Sequence, residues 1–251
     1  MPGPRWGRET DIGAIVLAGG LGTRLRSVVR DLPKAMASVG GRPFLAYVLE
    51  HLRSQYLRQV VLAIGYRGEA IREYFRAGED FGLQIAYSDE GNRKLGTGGA
   101  LARALQTYGG RRPRYVVVSN GDTYLSFDLE ELMEANQARS ARILLAAASV
   151  PDVARYGGLE LGPNREVLSF QEKGRHGPGI VNAGTYLTTP QALELLMPMR
   201  ERFSFEHEVL RPLAGNGLYA QVVDGSFVDI GVPDDYRTAR RILAAGPQGD
   251  V

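Results

Sequence analysis

The most constraining feature of the sequence is an alternation of short, β-branched apolar runs with longer amphipathic segments. The first apolar run is Ile12–Ala18, and Tyr115–Ser119 is the most regular of the later ones. Between them, apolar residues recur at helical spacing, as in Pro43–Gln55. Apolar runs followed by helices are typical of βα units around a largely parallel sheet. The pattern therefore predicts an α/β fold in which helices pack on a central sheet.

The pattern changes after Ala141. Predicted strands such as Ile143–Val150 and Val167–Gln171 follow one another there, separated by glycine, proline and asparagine turns. Strands joined by such turns favour antiparallel pairing. We predict a single domain over residues 11–245, made of one half at about 11–140 and a second half at about 141–245 with a small antiparallel part. Residues 1–10 and 246–251 are predicted to be loose termini.

Composition argues against several classes of protein. The chain of 251 residues has no cysteine, which removes disulfides, thiol catalysis and cysteine-based metal sites. Its 30 Lys and Arg against 28 Asp and Glu leave a formal charge of +2 without a basic cluster, so we predict no nucleic-acid partner. No apolar stretch approaches the length of a membrane span, and Met1–Asp11 lacks the apolar core of a signal peptide. We therefore expect a cytoplasmic protein with no membrane partner.

A glycine-rich loop follows the first predicted strand, at the edge where parallel sheets bind ligands. Its sequence is Leu17-Ala18-Gly19-Gly20-Leu21-Gly22-Thr23-Arg24-Leu25. Leu25 stands where a dinucleotide-binding fingerprint has its third glycine, and the Gly-Lys-Ser/Thr of a P-loop is missing. Glycines let backbone N–H groups approach phosphates, and Arg24 and Lys34 supply the two cations that a triphosphate needs. The loop alone also fits a tight strand-to-helix turn with solvated cations.

Two aspartates stand at the ends of predicted strands. Asp122 follows Tyr115–Ser119 in the segment Asn120-Gly121-Asp122, and Asp229 lies in Val228-Asp229-Ile230-Gly231. Carboxylates in such positions suit Mg²⁺, a hard cation that often takes only one or two protein carboxylates besides phosphate oxygens. A helix cap or a turn would also account for either aspartate taken alone.

Together with the glycine-rich loop, the segment Asp31-Leu32-Pro33-Lys34 resembles the signature of the sugar-1-phosphate nucleotidyltransferases. The resemblance extends over nearly the whole chain and includes Leu95-Gly96-Thr97-Gly98-Gly99-Ala100 and both aspartate segments. It implies a Rossmann-like nucleotidyltransferase fold, with a mixed, mostly parallel sheet flanked by helices. It also implies transfer of a nucleotidyl group from an NTP to a sugar 1-phosphate, with the nucleotide bound by the first half and the sugar phosphate by the second.

The resemblance assigns roles to individual residues. The expected catalytic residues are Arg24, Lys34 and Lys173, and the expected cofactor is Mg²⁺, held by Asp122 and Asp229. The expected nucleotide-binding residues are Leu17, Ala18, Gly19, Gly20, Gly22, Thr23, Gly96, Thr97 and Asp122, with the glycines around Thr97 leaving room for the nucleobase. The expected sugar-phosphate contacts are Gly157, Glu172, Lys173, Asn182 and Glu206. A solvated strand end or a helix start would also account for Glu172 and Glu206.

Within this family, the sequence is similar to the guanylyltransferases that use D-glycero-α-D-manno-heptose 1-phosphate. Relatives that transfer a uridylyl or thymidylyl group commonly have a glutamine before the base-binding segment, and Glu90-Gly91-Asn92-Arg93-Lys94 has none. The expected substrates are therefore an NTP, with GTP favoured, and a sugar 1-phosphate. Mannose or glucose 1-phosphate with another NTP is the alternative pair, and a metal-dependent glycosyltransferase or a non-catalytic nucleotide sensor is the alternative from another class. Family members are frequently dimers, so a homodimer is a further expectation.

Overall fold

The computed structural model describes residues 11–20, 32–231 and 233–244 of the chain. Its strands, in chain order, are β1 (Ile12–Leu17), β2 (Ser38–Val39), β3 (Arg42–Pro43), β4 (Gln59–Ile64), β5 (Gln84–Asp89), β6 (Tyr115–Asn120), β7 (Thr123–Leu125), β8 (Ile143–Val150), β9 (Leu159–Leu161), β10 (Val167–Phe170), β11 (Gly179–Thr188), β12 (Leu218–Val223) and β13 (Phe227–Asp229).

The helices alternate with these strands in the first half of the chain and are fewer in the second. They are α1 (Phe44–Ser54), α2 (Gly68–Phe75), α3 (Gly96–Gln106), α4 (Leu129–Arg139), α5 (Pro190–Leu196), α6 (Arg211–Leu213) and α7 (Pro233–Ala244), with short 3₁₀ helices at Lys34–Met36 and Glu79–Phe81 and a π-helix at Glu206–Leu210. Among the described residues, no helix is both long and apolar enough to cross a membrane.

The central sheet has seven strands in the order β12-β8-β11-β6-β1-β4-β5. Neighbouring strands pair in parallel except at β11, which runs antiparallel to both β6 and β8. Three two-stranded antiparallel pairs lie beside this sheet: β2 with β3, β7 with β13, and β9 with β10. The prediction of an α/β fold with a mixed, mostly parallel sheet and a small antiparallel part is confirmed.

Helices cover both faces of the sheet. Alternate residues of a strand point to opposite faces, so Ala14 and Val16 of β1 join the core that contains α1, α2, α4 and α7. Ile15 of the same strand joins the second core, which contains α3, α5 and α6. Because both faces are buried, the central strands are continuous apolar runs, which is the feature that the sequence pattern detected.

The strand directions bring several loops to one edge of the sheet. The carboxyl ends of β1, β4, β5 and β6 meet there because these strands are parallel. The reversed strand β11 runs past the same edge, where Thr185 pairs with Ser119 near the end of β6. Open α/β sheets bind ligands outside the carboxyl ends of their strands. The candidate site is therefore sought at this edge.

Some elements differ from the sequence-based expectation. Strands β2, β3 and β7 have two or three residues each, which is too short for a recognisable alternation of polar and apolar side chains. The apolar spacing of Phe205–Ala214 predicts one helix, and the structure has the π-helix at Glu206–Leu210 followed by α6. π-Helical turns are rare and frequently occur at functional sites, and Arg211 follows this one directly.

His51 of α1 anchors the segment that follows β7. Its ring packs edge-on against Tyr124 and Phe127, with ring centroids 5.6 and 4.7 Å away. The Phe127 N–H donates a hydrogen bond to His51 Nε2 at 3.1 Å, which requires that this nitrogen carry no proton. Burial lowers the pKa of His51 to about 4.

We expect the free energy of unfolding to decrease as the pH falls from about 6.5 towards 4. In this interval the unfolded chain binds a proton at His51 and the folded chain does not, so acid favours unfolding, by on the order of 3 kcal/mol in total. Urea unfolding at a series of pH values measures the effect. The His51→Gln variant should lose this part of the pH dependence, and an equal slope in both proteins would contradict the assignment to His51.

Candidate active site

A cavity of about 340 Å³ opens at the carboxyl edge of the parallel strands. Its walls come from the turns after β1 and β6, the 3₁₀ helix at Lys34–Met36 and the start of α3. The lining residues are Leu17, Ala18, Gly19, Gly20, Lys34, Ala35, Ala63, Glu90, Lys94, Gly96, Thr97, Ala100, Asn120 and Asp122. All the described residues that the sequence assigned to nucleotide binding thus line one common cavity.

The start of the glycine-rich loop forms one wall. The Ala18 N–H donates to the Ala63 carbonyl at 2.8 Å, which fixes the chain on β4 as it leaves β1. Gly20 is exposed, and no atom of the described residues lies within 4 Å of the position of a Cβ on it. Gly22, Thr23 and Arg24 lie outside the described residues, and their roles stay predictions.

Three charged side chains from distant parts of the sequence meet beside the cavity, and two of them, Lys34 and Asp122, line it. Lys34 Nζ lies 2.7 Å from Asp122 Oδ2 and 3.4 Å from Asp229 Oδ1. Asp122 lies in the turn between β6 and β7, two residues beyond the end of β6, and Asp229 ends β13. The antiparallel pairing of β7 with β13 places Asp229 opposite Thr123, next to Asp122. These short strands therefore bring together the two aspartates that the sequence pattern singled out separately.

The surroundings of this cluster favour an ionised lysine between two carboxylates. Burial acts to lower the pKa of Lys34, but Asp122 and Asp229 outweigh it and raise the pKa above its usual value. Burial also raises the pKa of the Asp229 carboxyl, and the charge of Lys34 opposes that rise. The lysine therefore compensates negative charge that would otherwise be costly to bury.

The same aspartates have the chemistry of a divalent metal site. One cationic atom, Lys34 Nζ, lies within 3.4 Å of an oxygen from each carboxylate, so both can face a shared cation. Within the described ranges, no group of three or more histidine, aspartate and glutamate side chains could hold a metal. Two carboxylates supplemented by phosphate oxygens and water are a donor set that suits Mg²⁺.

Some glycines at the start of α3 line the cavity, and others allow close packing against another segment of the chain. Gly96 and Thr97 line the cavity, and the Thr97 hydroxyl accepts a hydrogen bond from the Phe205 N–H at 3.0 Å. The expectation that the glycines here leave room for a nucleobase does not extend to Gly98 and Gly99. Both are buried, and a Cβ on them would collide with the Phe203 ring and the Glu201 carbonyl oxygen, respectively. Gly98 and Gly99 therefore make room for the segment from Glu201 to Phe203, which packs against the start of α3.

We expect Gly96→Ala to destabilise the fold by about 2 kcal/mol or more. Gly96 has φ +74°, and a Cβ there would lie 2.5 Å from the Phe203 carbonyl oxygen. Thermal unfolding checks this, with Gly110→Ala as the matched control because nothing lies within 4 Å of a Cβ at Gly110. Equal melting temperatures for the two variants would contradict the packing role of Gly96.

The expected sugar-side carboxylates share one arginine. Arg211 Nη1 lies 3.3 Å from Glu172 Oε1, and Arg211 Nη2 lies 3.3 Å from Glu206 Oε1. Glu172 follows β10, Glu206 begins the π-helix, and Arg211 begins α6. Arg211 therefore connects two residues 34 positions apart that the sequence assigned to the same ligand. Sequence reasoning missed Arg211, which stands in no recognised motif.

The remaining sugar-side residues occupy two turns and a bulge. The Asn182 carboxamide donates to the Tyr186 hydroxyl and accepts from the Gly184 N–H, both at 2.9 Å, at the point where β11 changes register against β8. Gly157 has φ +80°, and Lys173 is exposed with its side chain near Gly157. Asn182 thus shapes a β-bulge, and Lys173 lies outside the set of residues that line the cavity.

The bulge also brings a further residue into the cavity wall. A Cβ on Gly184, which has φ +72°, would lie 2.5 Å from Asn120 Nδ2. Glycine at this position therefore allows the Asn120 side chain to fit between β6 and β11. Asn120 and Glu90 both line the cavity, although neither was among the predicted site residues.

Comparison with known proteins bears on the family and the fold. Residues 13–246 match the model of the family described as "Nucleotidyl transferase". The chain is 39% identical over 231 residues to D-glycero-alpha-D-manno-heptose 1-phosphate guanylyltransferase of Aneurinibacillus thermoaerophilus, covering 92% of this chain and 97% of that protein. It is also 39% identical over 223 residues to the protein of the same name from Campylobacter jejuni, covering 89% and 96%.

A solved structure shows the same likeness. The crystal structure of HddC from Yersinia pseudotuberculosis, complexed with GMP-PN, superimposes with a TM-score of 0.80 at 34% sequence identity. The alignment covers 91% of this chain and 98% of that one. The resemblance inferred from the motifs is thereby confirmed: the chain belongs to the nucleotidyl transferase family.

Proposed function

We propose that this protein transfers GMP from GTP to D-glycero-α-D-manno-heptose 1-phosphate, giving the GDP-sugar and pyrophosphate. The observation that carries the proposal is the meeting of Lys34, Asp122 and Asp229 beside a cavity that the first residues of the glycine-rich loop, Leu17 to Gly20, help to line. The guanylyltransferases of Aneurinibacillus and Campylobacter, similar over nearly their full length, support the choice of both substrates.

The reaction needs no protein nucleophile, because the sugar phosphate is itself an anionic nucleophile. Its oxygen forms a bond to the α-phosphorus of GTP while the bond from that phosphorus to the bridging oxygen of pyrophosphate breaks. The work of the protein is then to position the reactants and to neutralise charge. Lys34 holds a positive charge next to the phosphates, and Lys173 is proposed to hold the incoming sugar phosphate.

We propose Mg²⁺ as the cofactor, held by Asp122 and Asp229. When bound, the ion neutralises the negative charge of the phosphates and orients them. Exposed fractions of 37% and 27% leave both aspartate side chains accessible to an ion that arrives with a nucleotide. Lys34 Nζ lies within 3.4 Å of both carboxylates, so an ion held by Asp122 and Asp229 would compete with these two ion pairs.

We propose that the two halves of the domain over residues 11–245 bind different substrates. The half at about 11–140 supplies the cavity and is proposed to bind the nucleotide, since Lys34, Gly96 and Asp122 all lie in it. The half at about 141–245 is proposed to bind the sugar phosphate through Gly157, Glu172, Lys173, Asn182 and Glu206. A cytoplasmic location and a homodimer stay predictions.

Pyrophosphate release in the presence of Mg²⁺ tests the function directly. GTP, ATP, UTP, CTP and dTTP are each combined with the 1-phosphates of manno-heptose, mannose and glucose, and each NTP is also assayed alone. We expect release with GTP and the heptose phosphate, and none without a sugar phosphate or after chelation of the metal. Preference for another pair would replace the proposed substrates, whereas no release from any pair would favour a nucleotide sensor or a glycosyltransferase.

A further inference from the structure

Asp152 is an acidic side chain in the second half of the chain that the reaction described above does not use. It lies in the β8–β9 loop (residues 151–158), and its side chain is 50% exposed. Asp152 Oδ1 accepts a hydrogen bond from the Ala154 N–H of the same loop at 3.0 Å. It also accepts one at 3.2 Å from the Gly177 N–H, 25 positions further along the chain in the β10–β11 loop (residues 171–178). One carboxylate oxygen therefore joins the two loops.

Backbone hydrogen bonds connect the same two loops. The Val153 N–H donates to the Gly177 carbonyl at 3.0 Å, and the Gly174 N–H donates to the Ala154 carbonyl at 2.7 Å. Lys173, the residue expected to bind the sugar phosphate, directly precedes Gly174. The position of the Lys173 backbone therefore depends on how the β10–β11 loop is held against the β8–β9 loop.

The β10–β11 loop has little rigidity of its own. Gly174 has φ +96° and Gly177 has φ +121°, and nothing lies within 4 Å of a Cβ on either. Glycine loses more conformational freedom on folding than any other residue, so a loop with two such glycines needs contacts from outside to keep one conformation. Asp152 supplies these contacts through both of its oxygens, since Oδ2 lies 2.9 Å from His176 Nδ1.

We propose that Asp152 is a positioning residue for Lys173, because it fixes the loop from which this lysine meets the phosphate of the incoming sugar. The inference rests on the proposed function, in which Lys173 holds that phosphate. Lys173 is exposed, and its amino group has no hydrogen bond or ion pair within the part of the chain that the structure describes. A loop that is already held in place loses less entropy when the sugar phosphate binds.

Asp128 provides a matched control. Its carboxylate also accepts from two backbone N–H groups with one oxygen, at 2.7 Å from Glu130 and 3.3 Å from Glu131, but these bonds cap α4. Asp128 and Asp152 are both exposed. The variants Asp128→Ala and Asp152→Ala therefore remove the same kind of hydrogen bonds, and only the second releases the loop that carries Lys173.

The test is steady-state kinetics with GTP and D-glycero-α-D-manno-heptose 1-phosphate in the presence of Mg²⁺, with each substrate varied in turn. We expect Asp152→Ala to raise KM for the sugar phosphate about tenfold and to leave kcat and KM for GTP within about twofold. Asp152→Asn should stay within about threefold of the unmodified protein, because its amide oxygen can still accept from the Ala154 and Gly177 N–H groups. Asp128→Ala should leave both KM values within about twofold, although loss of the cap lowers its melting temperature.

A double-mutant cycle with Lys173→Ala determines whether Asp152 acts through this lysine. Lys173→Ala alone should raise KM for the sugar phosphate by about tenfold or more. In the protein that already lacks the lysine, Asp152→Ala should change this KM by less than about twofold. A general loss of stability would instead act equally with and without Lys173.

The outcomes separate this inference from the proposed function. An unchanged KM for the sugar phosphate in Asp152→Ala or in Lys173→Ala would overturn the inference. So would equal effects of Asp152→Ala in the presence and absence of the lysine. In each of these cases, turnover of GTP with the heptose phosphate by the unmodified protein would still support the function. If the unmodified protein released no pyrophosphate from any pair of substrates, both would be overturned.

Discussion

Replacing Asp122 with asparagine should lower kcat/KM for nucleotidyl transfer by about 10³-fold or more while the fold is kept. Stabilisation of phosphate charge by a bound cation contributes several kcal/mol to such a reaction, and each 1.36 kcal/mol corresponds to a factor of ten. Asp122 is the carboxylate that both lines the cavity and lies closest to Lys34, at 2.7 Å. Asparagine keeps the shape and one acceptor oxygen, so the change removes charge rather than packing.

Steady-state kinetics at several Mg²⁺ concentrations measure this effect, and thermal unfolding establishes that the variant is folded. Asp224→Asn is the control, because Asp224 is an exposed acid in the turn between β12 and β13. The Asp224→Asn variant removes one exposed carboxylate, and it should leave kcat/KM within about twofold of the unmodified protein. Turnover by Asp122→Asn close to that of the unmodified protein would rule out its assignment as a metal ligand.

The sequence allowed the sheet and the location of the site to be predicted because both depend on local pattern. Continuous apolar runs mark strands that are buried on both faces, and a parallel arrangement forces their carboxyl ends to one edge. The positions of Leu17, Gly20 and Asp122 at that edge follow from strand boundaries alone. The cap of α4 is local as well: Asp128, directly before the helix, accepts hydrogen bonds from the Glu130 and Glu131 N–H groups.

Contacts between distant segments could not be predicted in this way. The pairing of β7 with β13, which joins Asp122 to Asp229, involves two strands of three residues that carry no periodic signal. Arg211 contacts Glu172, which lies 39 positions earlier in the chain, and no local pattern indicates that contact. The resemblance to a family identified Asp122 and Asp229 as members of one set, but their approach to Lys34 depends on tertiary packing.

Glu90 illustrates a signal that was available in the sequence but was not used. Gly65 follows β4 directly, and a glycine at the carboxyl end of a buried strand can indicate close approach by another group. That group is the Glu90 side chain, from the end of the next strand in the sheet. The glycine directly after β4 is therefore explained by the close approach of this side chain from the end of β5.

Replacing Lys34 with methionine should change catalysis and metal binding in opposite directions. We expect kcat/KM to fall by about 10²-fold or more, because a positive charge next to the reacting phosphates is lost. We also expect the nucleotide-free protein to bind Mn²⁺, a spectroscopic substitute for Mg²⁺, about tenfold more tightly. Lys34 Nζ lies between Asp122 and Asp229, and methionine removes this competing cation from both carboxylates.

Mn²⁺ titration followed by electron paramagnetic resonance measures the second effect independently of turnover. Lys94→Met is the matched control, since Lys94 lines the same cavity beside Gly96 but belongs to the wall at the start of α3. It should leave Mn²⁺ affinity within about threefold, as expected for a charge farther from the aspartates. Weaker Mn²⁺ binding in Lys34→Met would contradict competition and would indicate that the lysine organises the carboxylates for the metal. Tighter Mn²⁺ binding together with slower turnover in Lys34→Met would establish two roles for the Lys34 amino group. Without nucleotide it is the counter-ion of the two aspartates, and with nucleotide it is a ligand of the phosphates.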